Sequence, residues 1–200
     1  MTSMLTWQAD GGVGLEGVRL QPGAGGFRAL GRLVRAGAAG EFTTSYRLVL
    51  GTDGTVARLS LTAATAGRER HLTMNRNEDG FWLLDTGSGS TRSEFGGAVD
   101  IDLAYSPLFS MVPIRRLGMH REVGEHLLPV VFVSLPDLVV TPAEQRYRTT
   151  ATVGDNGAGQ ALVELTGGGV TAQLVVDADG VVTHYPGVAH RVSVTAPIVG

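Results

Sequence analysis

A chain of 200 residues that is 43% hydrophobic and 18% charged is long enough to bury a sizeable core and too apolar to stay disordered. Its net charge of −3 comes from 19 acidic and 16 basic residues, every basic one an arginine, and it contains no cysteine. These facts exclude a lysine phosphate loop, Schiff-base chemistry, thiol nucleophiles, disulfides and cysteine metal sites. The acidic balance argues against nucleic acid and confines any anion site to a local feature.

One domain over residues 1–200 is the expectation for this length. The start, MTSMLTWQADGGVG, has neither the charged opening nor the apolar run of a secretory signal, which points to a cytoplasmic location. The longest apolar stretch, LLPVVFV at residues 127–133, is far short of the roughly 20 residues that span a bilayer as a helix.

Gly12, Gly14 and Gly17 satisfy the spacing G-x-G-x-x-G. A dinucleotide fingerprint must open a helix, however, and VRLQPG follows here. Glycine (29 residues) and proline (8 residues) punctuate the rest so often that few windows can hold a long helix. Between them lie short runs rich in β-branched and aromatic residues: Arg47 to Leu50, Val56 to Leu61, His71 to Met74, Phe81 to Leu84, Val130 to Ser134, Ala172 to Val176 and Val181 to Tyr185. These read as strands.

Three connections carry Asp-Gly, at Asp53-Gly54, Asp79-Gly80 and Asp179-Gly180, and predict antiparallel hairpins because both residues tolerate the positive φ of tight turns. The first and third hairpins resemble each other, which suggests two related halves, about residues 1–95 and 119–200, joined by the segment 100–117. The fold class expected is mainly β: an antiparallel sheet with one or two short helices, Pro107 to Leu117 being the best candidate.

Thr141, Pro142 and Glu144 look like a helix start with a capping box, yet Gln145, Tyr147, Thr149 and Ala151 then alternate with polar residues as a strand does. A strand is expected there. His120 and His126, like His184 and His190, stand six apart, which along a strand is about 20 Å and too far for two ligands of one ion. An intervening turn at Gly124 or Gly187 would bring either pair together. No metal and no cofactor are assigned.

The densest chemistry lies in DIDLAYSPLFSMVPIRRL, residues 100–117. On a strand, Asp100 and Asp102 point to one face about 7 Å apart, a separation that overlaps that of paired glycosidase carboxylates. The simpler reading is structural. One aspartate receives Arg115 or Arg116 and ties the crossover to the sheet, and because adjacent residues diverge the other arginine is left for an anionic head group. No G-x-S-x-G elbow or H-E-x-x-H pair supports hydrolysis. Among the aromatic residues, Trp82, Tyr147 and Tyr185 flank turns or alternate with polar groups and are the ligand candidates. An apolar cavity with a few polar groups at its mouth is the general form of a lipid site.

The motifs DIDL and PIRRL, with LPDLVV at residues 135–140, Gln145 and Tyr147, and the ending LVVDADGVVTHYPGVAHRV from Leu174, resemble in order the bacterial family called putative glycolipid-binding proteins. The resemblance covers about the whole chain. It implies a fold like that of the outer-membrane lipoprotein carriers, a strongly curved antiparallel sheet or half-barrel around an apolar cavity, and non-enzymatic binding of a lipid or glycolipid. On that reading Arg115, Arg116, Trp82, Tyr147 and Tyr185 face the ligand while Asp100, Asp102, Pro113 and Gln145 are structural. The chain departs from the family where Phe109, Ser110 and Met111 replace a more polar stretch before the Pro-Ile-Arg-Arg. Two alternatives stay open: a carboxylate-based hydrolase of a glycosyl or ester bond using Asp100 and Asp102, and a protein-interaction scaffold that uses a sheet edge.

Overall fold

Short alternating runs separated by glycine turns can satisfy their backbone groups only by pairing with neighbours, and successive runs here pair in chain order. The computed structural model describes all residues except Gly25, Ser88, Asn156, Ala158 and 193–200, so the last eight residues of the expected 1–200 domain lie outside the described residues. The first eight strands are β1 (Ser3–Ala9), β2 (Val13–Gly23), β3 (Gly26–Gly37), β4 (Gly40–Leu50), β5 (Val56–Thr65), β6 (Glu69–Arg76), β7 (Trp82–Asp85) and β8 (Ser90–Ser93). After β9 (Asp100–Leu103) and helix α1 (Pro107–Arg116) come β10 (Glu125–Val133), β11 (Val140–Ala151), β12 (Gln160–Gly167), β13 (Val170–Asp177), β14 (Val182–Tyr185) and β15 (Ala189–Arg191).

All fifteen strands form one strongly curved sheet, ordered from β8 down to β1 and then from β15 down to β9. Pairing is antiparallel throughout except between β9 and β10, which run parallel. The sheet is not closed into a barrel. Asp53-Gly54, Asp79-Gly80 and Asp179-Gly180 connect β4 to β5, β6 to β7 and β13 to β14, all antiparallel neighbours. At residues 141–148 the chain is strand, within β11, with Gln145, Tyr147 and Thr149 buried and Glu144 and Arg146 exposed.

The core lies on the inner face. Along β4, Phe42, Thr44, Tyr46 and Leu48 are buried while Thr43, Ser45 and Arg47 are exposed, the period-2 pattern of a sheet with one covered face. Helix α1 fills the hollow of the curve. Every residue from Pro107 to Ile114 is buried, so the helix has no polar face and belongs to the core. Pro107 occupies the first turn, where its missing N–H costs nothing, whereas Pro113 lies inside the helix and removes one backbone bond. The helix stops at Gly118, which takes φ +65, while Met119 N–H reaches back to the Ile114 carbonyl at 3.0 Å, a Schellman closure. No described helix is long and apolar enough to cross a membrane.

Candidate functional site

The residues that reach the lumen of the curve are set by strand parity. On β9, Asp100 and Asp102 share a face, opposite Val130 and Phe132 of β10. Asp100 is 1% exposed and accepts a hydrogen bond from Arg116 Nη2, so this pair ties the end of α1 to the sheet. Burial nonetheless pushes its carboxyl above the ordinary range, only partly offset by Arg116.

The two arginines diverge. Arg116 lays its stem over Gly54, where an added β-carbon would stand 3.3 Å from Arg116 Cγ, and Arg115 lies over Gly180 in the same way at 2.7 Å. Each arginine therefore seats one of the two similar Asp-Gly turns, at glycines with φ +78 and +73. The Arg115 guanidinium also stands 5.3 Å from the Phe27 ring centroid.

Asp102 has a different partner from the one its type suggests. It accepts 2.7 Å from Gln145 Nε2, not from an arginine, and Gln145 Oε1 in turn accepts 2.8 Å from the Tyr147 hydroxyl. Asp102, Gln145 and Tyr185, with Thr141 and Glu144, are the polar residues lining a cavity of about 380 Å³ walled by Phe132, Leu165 and Ala172. Desolvation there pushes Asp102 up to about 6, with the Gln145 bond opposing the rise. Burial and then the nearby Asp102 charge push the Tyr185 hydroxyl up to about 12, so it remains a neutral donor and acceptor.

Of the side chains expected at a ligand, Tyr185 lines this cavity and the others stand elsewhere. Trp82 is fully buried and spends its indole N–H on the Ala98 carbonyl at 2.8 Å, which makes it core. Tyr147 is 1% exposed and acts beneath the cavity by orienting Gln145. Arg115 and Arg116 hold the turns and Asp100, and Pro113 is packed inside α1. Gln145 and Asp102, expected as structural, hydrogen-bond to each other and line the cavity.

One feature escaped the sequence reading. Glu16 is 3% exposed on the inner face of β2, where Oε1 accepts from Tyr46 Oη at 2.6 Å and from Ser106 Oγ, while Oε2 has no partner. Burial pushes it up to about 7. The signal was present as a charged residue in phase with Val18 and Leu20. Of the two histidine pairs weighed from the sequence, the turn at Gly187 places His184 and His190 directly opposite each other on β14 and β15, each within hydrogen-bond reach of Asp10 at 3.2 and 2.7 Å. Among the described residues no group of three or more histidine and acidic side chains is arranged to hold a metal ion.

The model of the family described as "Putative glycolipid-binding" matches residues 4–191. The chain belongs to that family. Among solved structures, this family member is similar to a DUF1089 family protein from Pseudomonas aeruginosa, with a TM-score of 0.72 and 24% identity over 93% of this chain and 95% of that one. It is also similar to a β-barrel-like DUF1849 protein from Brucella abortus, with a TM-score of 0.54 and 8% identity over 95% of this chain and 93% of that one. At these identities the likeness is one of fold alone. No curated protein matches the chain.

Proposed function

We propose that this protein binds a lipid or glycolipid without catalysing its conversion, and that the cavity between β9, β11 to β13 and Tyr185 holds it. The observation that carries this reading is the cavity's composition. Its volume of about 380 Å³ falls in the range of small-molecule sites, and such sites combine apolar walls with a few convergent polar groups. Phe132, Leu165 and Ala172 would take a hydrocarbon segment, and Asp102, Gln145 and Tyr185 would take hydroxyl or amide groups of a head group.

The carboxylate-hydrolase reading is less well supported, because Asp100 is committed to Arg116 and is not part of the lining. Paired catalytic carboxylates need to flank one substrate bond.

Native mass spectrometry and solvent extraction of the purified protein test the proposal. A bound amphiphile is expected, and Ala172→Phe, which projects a ring into open space, should abolish its retention without lowering the melting temperature. An empty protein that also fails to bind an environment-sensitive hydrophobic probe would overturn the reading, as would an Ala172→Phe variant that loads normally.

A further inference from the structure

The arginines are not spread evenly over the surface. On the outer face of β1 to β6, strand register aligns three adjacent cross-strand rows. The first carries Arg19 and Arg47 with Leu30 between them, and Met4 at its end. The second carries Arg32 and His71 with Ser45 and Thr62 between them. The third carries Arg28 and Arg58 with Val49 between them. Within β1 to β6 no carboxylate occurs in the three rows, and the carboxylates stand at the border, Glu69 beside His71 at 3.1 Å and Asp85 on β7 where the first row ends. Arg19, Arg28, Arg32 and Arg47 are exposed and enter no ion pair among the described residues, and Arg58 makes only a 3.4 Å contact to Ser60. An overall charge of −3 thus conceals a local cationic face.

The face is also hollowed. A groove of about 580 Å³ runs between the arginines, its floor kept low by Gly17, Ser45, Ser60, Thr62 and Thr73. A β-carbon at Gly17 would meet nothing within 4 Å, so the glycine leaves the floor open. Guanidinium groups rimming a floor of hydroxyls present donors suited to phosphate oxygens. Three apolar side chains lie among them, Leu30 and Val49 half-buried and Met4 at 65% exposure. An unstacked nucleic acid would require exposed aromatic platforms, and no exposed aromatic residue lies in these rows.

We propose that this face docks on an anionic phospholipid bilayer, the arginines pairing with head-group phosphates and Met4 and Leu30 resting in the interfacial layer. Clustered arginines near an anionic membrane each strengthen attachment about five-fold. The proposal concerns the opposite side of the sheet from the lumen and does not rest on the cavity reading.

Vesicle flotation with the full chain tests it, comparing phosphatidylcholine alone with a phosphatidylcholine–phosphatidylglycerol mixture. The protein is expected to float with the mixed vesicles, to be released by high salt, and to stay behind with neutral ones. The triple variant Arg19→Gln, Arg32→Gln, Arg47→Gln should bind weaker on the order of 100-fold, whereas the charge-matched Arg121→Gln, Arg146→Gln, Arg148→Gln should stay close to the parent. Melting curves establish that both variants fold. Equal flotation with neutral vesicles, equal weakening in the two variants, or binding of a single-stranded oligonucleotide in place of vesicles would each overturn the proposal. So would displacement from vesicles by millimolar glycerol phosphate, which would mark a small-anion site. Ala172→Phe should float like the parent, which separates failure of this proposal from failure of the cavity reading.

Discussion

The ring of Tyr46 lies across Gly31, its antiparallel partner on β3, so closely that a β-carbon at that glycine would stand 2.0 Å from Tyr46 Cζ. The missing side chain lets the ring reach over β3 and deliver its hydroxyl to Glu16 on β2. The ring also meets Phe109 of α1 edge-on at 5.3 Å. Gly31→Ala should therefore displace the ring and strip Glu16 of one of its two donors. Overpacking of this kind costs about 1–3 kcal/mol, and loss of a hydrogen bond to a buried carboxyl adds about 1–3 kcal/mol. Gly17→Ala, on the open outer face, should change stability by less than about 0.5 kcal/mol. Urea titration of the two variants checks this, and equal stability would mean that Tyr46 can lie elsewhere.

Glu16 itself makes stability depend on pH. Burial lifts its folded value from 4.5 to about 7, so between those limits the folded chain holds a proton that the unfolded chain has released. Unfolding stability must then fall as pH rises through that window and level off above it. At about 1.4 kcal/mol per unit the loss comes to roughly 3 kcal/mol. Asp102, lifted from 3.8 to about 6, acts with the same sign over a lower window. The melting temperature should accordingly be higher near pH 5 than near pH 8, and Glu16→Gln should remove the part of the decline above about pH 6. A wild-type profile that rises toward pH 8, or a variant profile parallel to it, would contradict this.

Much of the fold can be read locally because turn chemistry is local. Asp-Gly at three hairpins, Pro107 at the start of α1 and Gly118 at its end all act through their own φ values. The conflict at residues 141–148 has a physical resolution. The buried parity of Gln145, Tyr147 and Thr149 outweighs the capping signal of Thr141 and Glu144, both of which are exposed on β11. The site was harder to see because its pairings are remote. Ser106 stands at the helix N-cap, yet its hydroxyl makes no cap bond and goes to Glu16, 90 residues away. Tyr105 before it adopts φ +68, a left-handed conformation that a bulky residue rarely takes. Local rules fail where the chain bends to bring Ser106, at the start of α1, to Glu16 of β2. His184 and His190 meet because the turn at Gly187 folds the intervening residues back on themselves, the alternative that the intervening glycine left open.

Arg116 and Asp100 should behave as one unit. Asp100 is 1% exposed and its Oδ1 has no partner, so Arg116→Ala leaves a charge stranded in the core. Breaking a buried pair from one side costs about 3–5 kcal/mol, whereas removing both charges costs much less. A double-mutant cycle with Arg116→Ala and Asp100→Asn should show the double variant more stable than the sum of the singles predicts. Strict additivity would show that the arginine acts only through its stem over Gly54.

Asp102 gives the cavity a titratable lining. Near its value of about 6 it changes from a neutral donor and acceptor at lower pH to a carboxylate at higher pH. A carboxylate in an apolar cavity retains the desolvation cost that raised it, and a neutral ligand does nothing to offset that cost. If the cavity binds neutral glycolipid-like amphiphiles as proposed, an alkyl glucoside should bind more tightly near pH 5 than near pH 8, by about ten-fold for each unit that its occupancy raises the Asp102 value further. Asp102→Asn, neutral at every pH, should keep the hydrogen-bonding shape and lose the dependence. Isothermal titration across this range reads both effects directly. A flat wild-type profile would place the ligand away from Asp102, and an unchanged profile in the variant would assign the titration to another group.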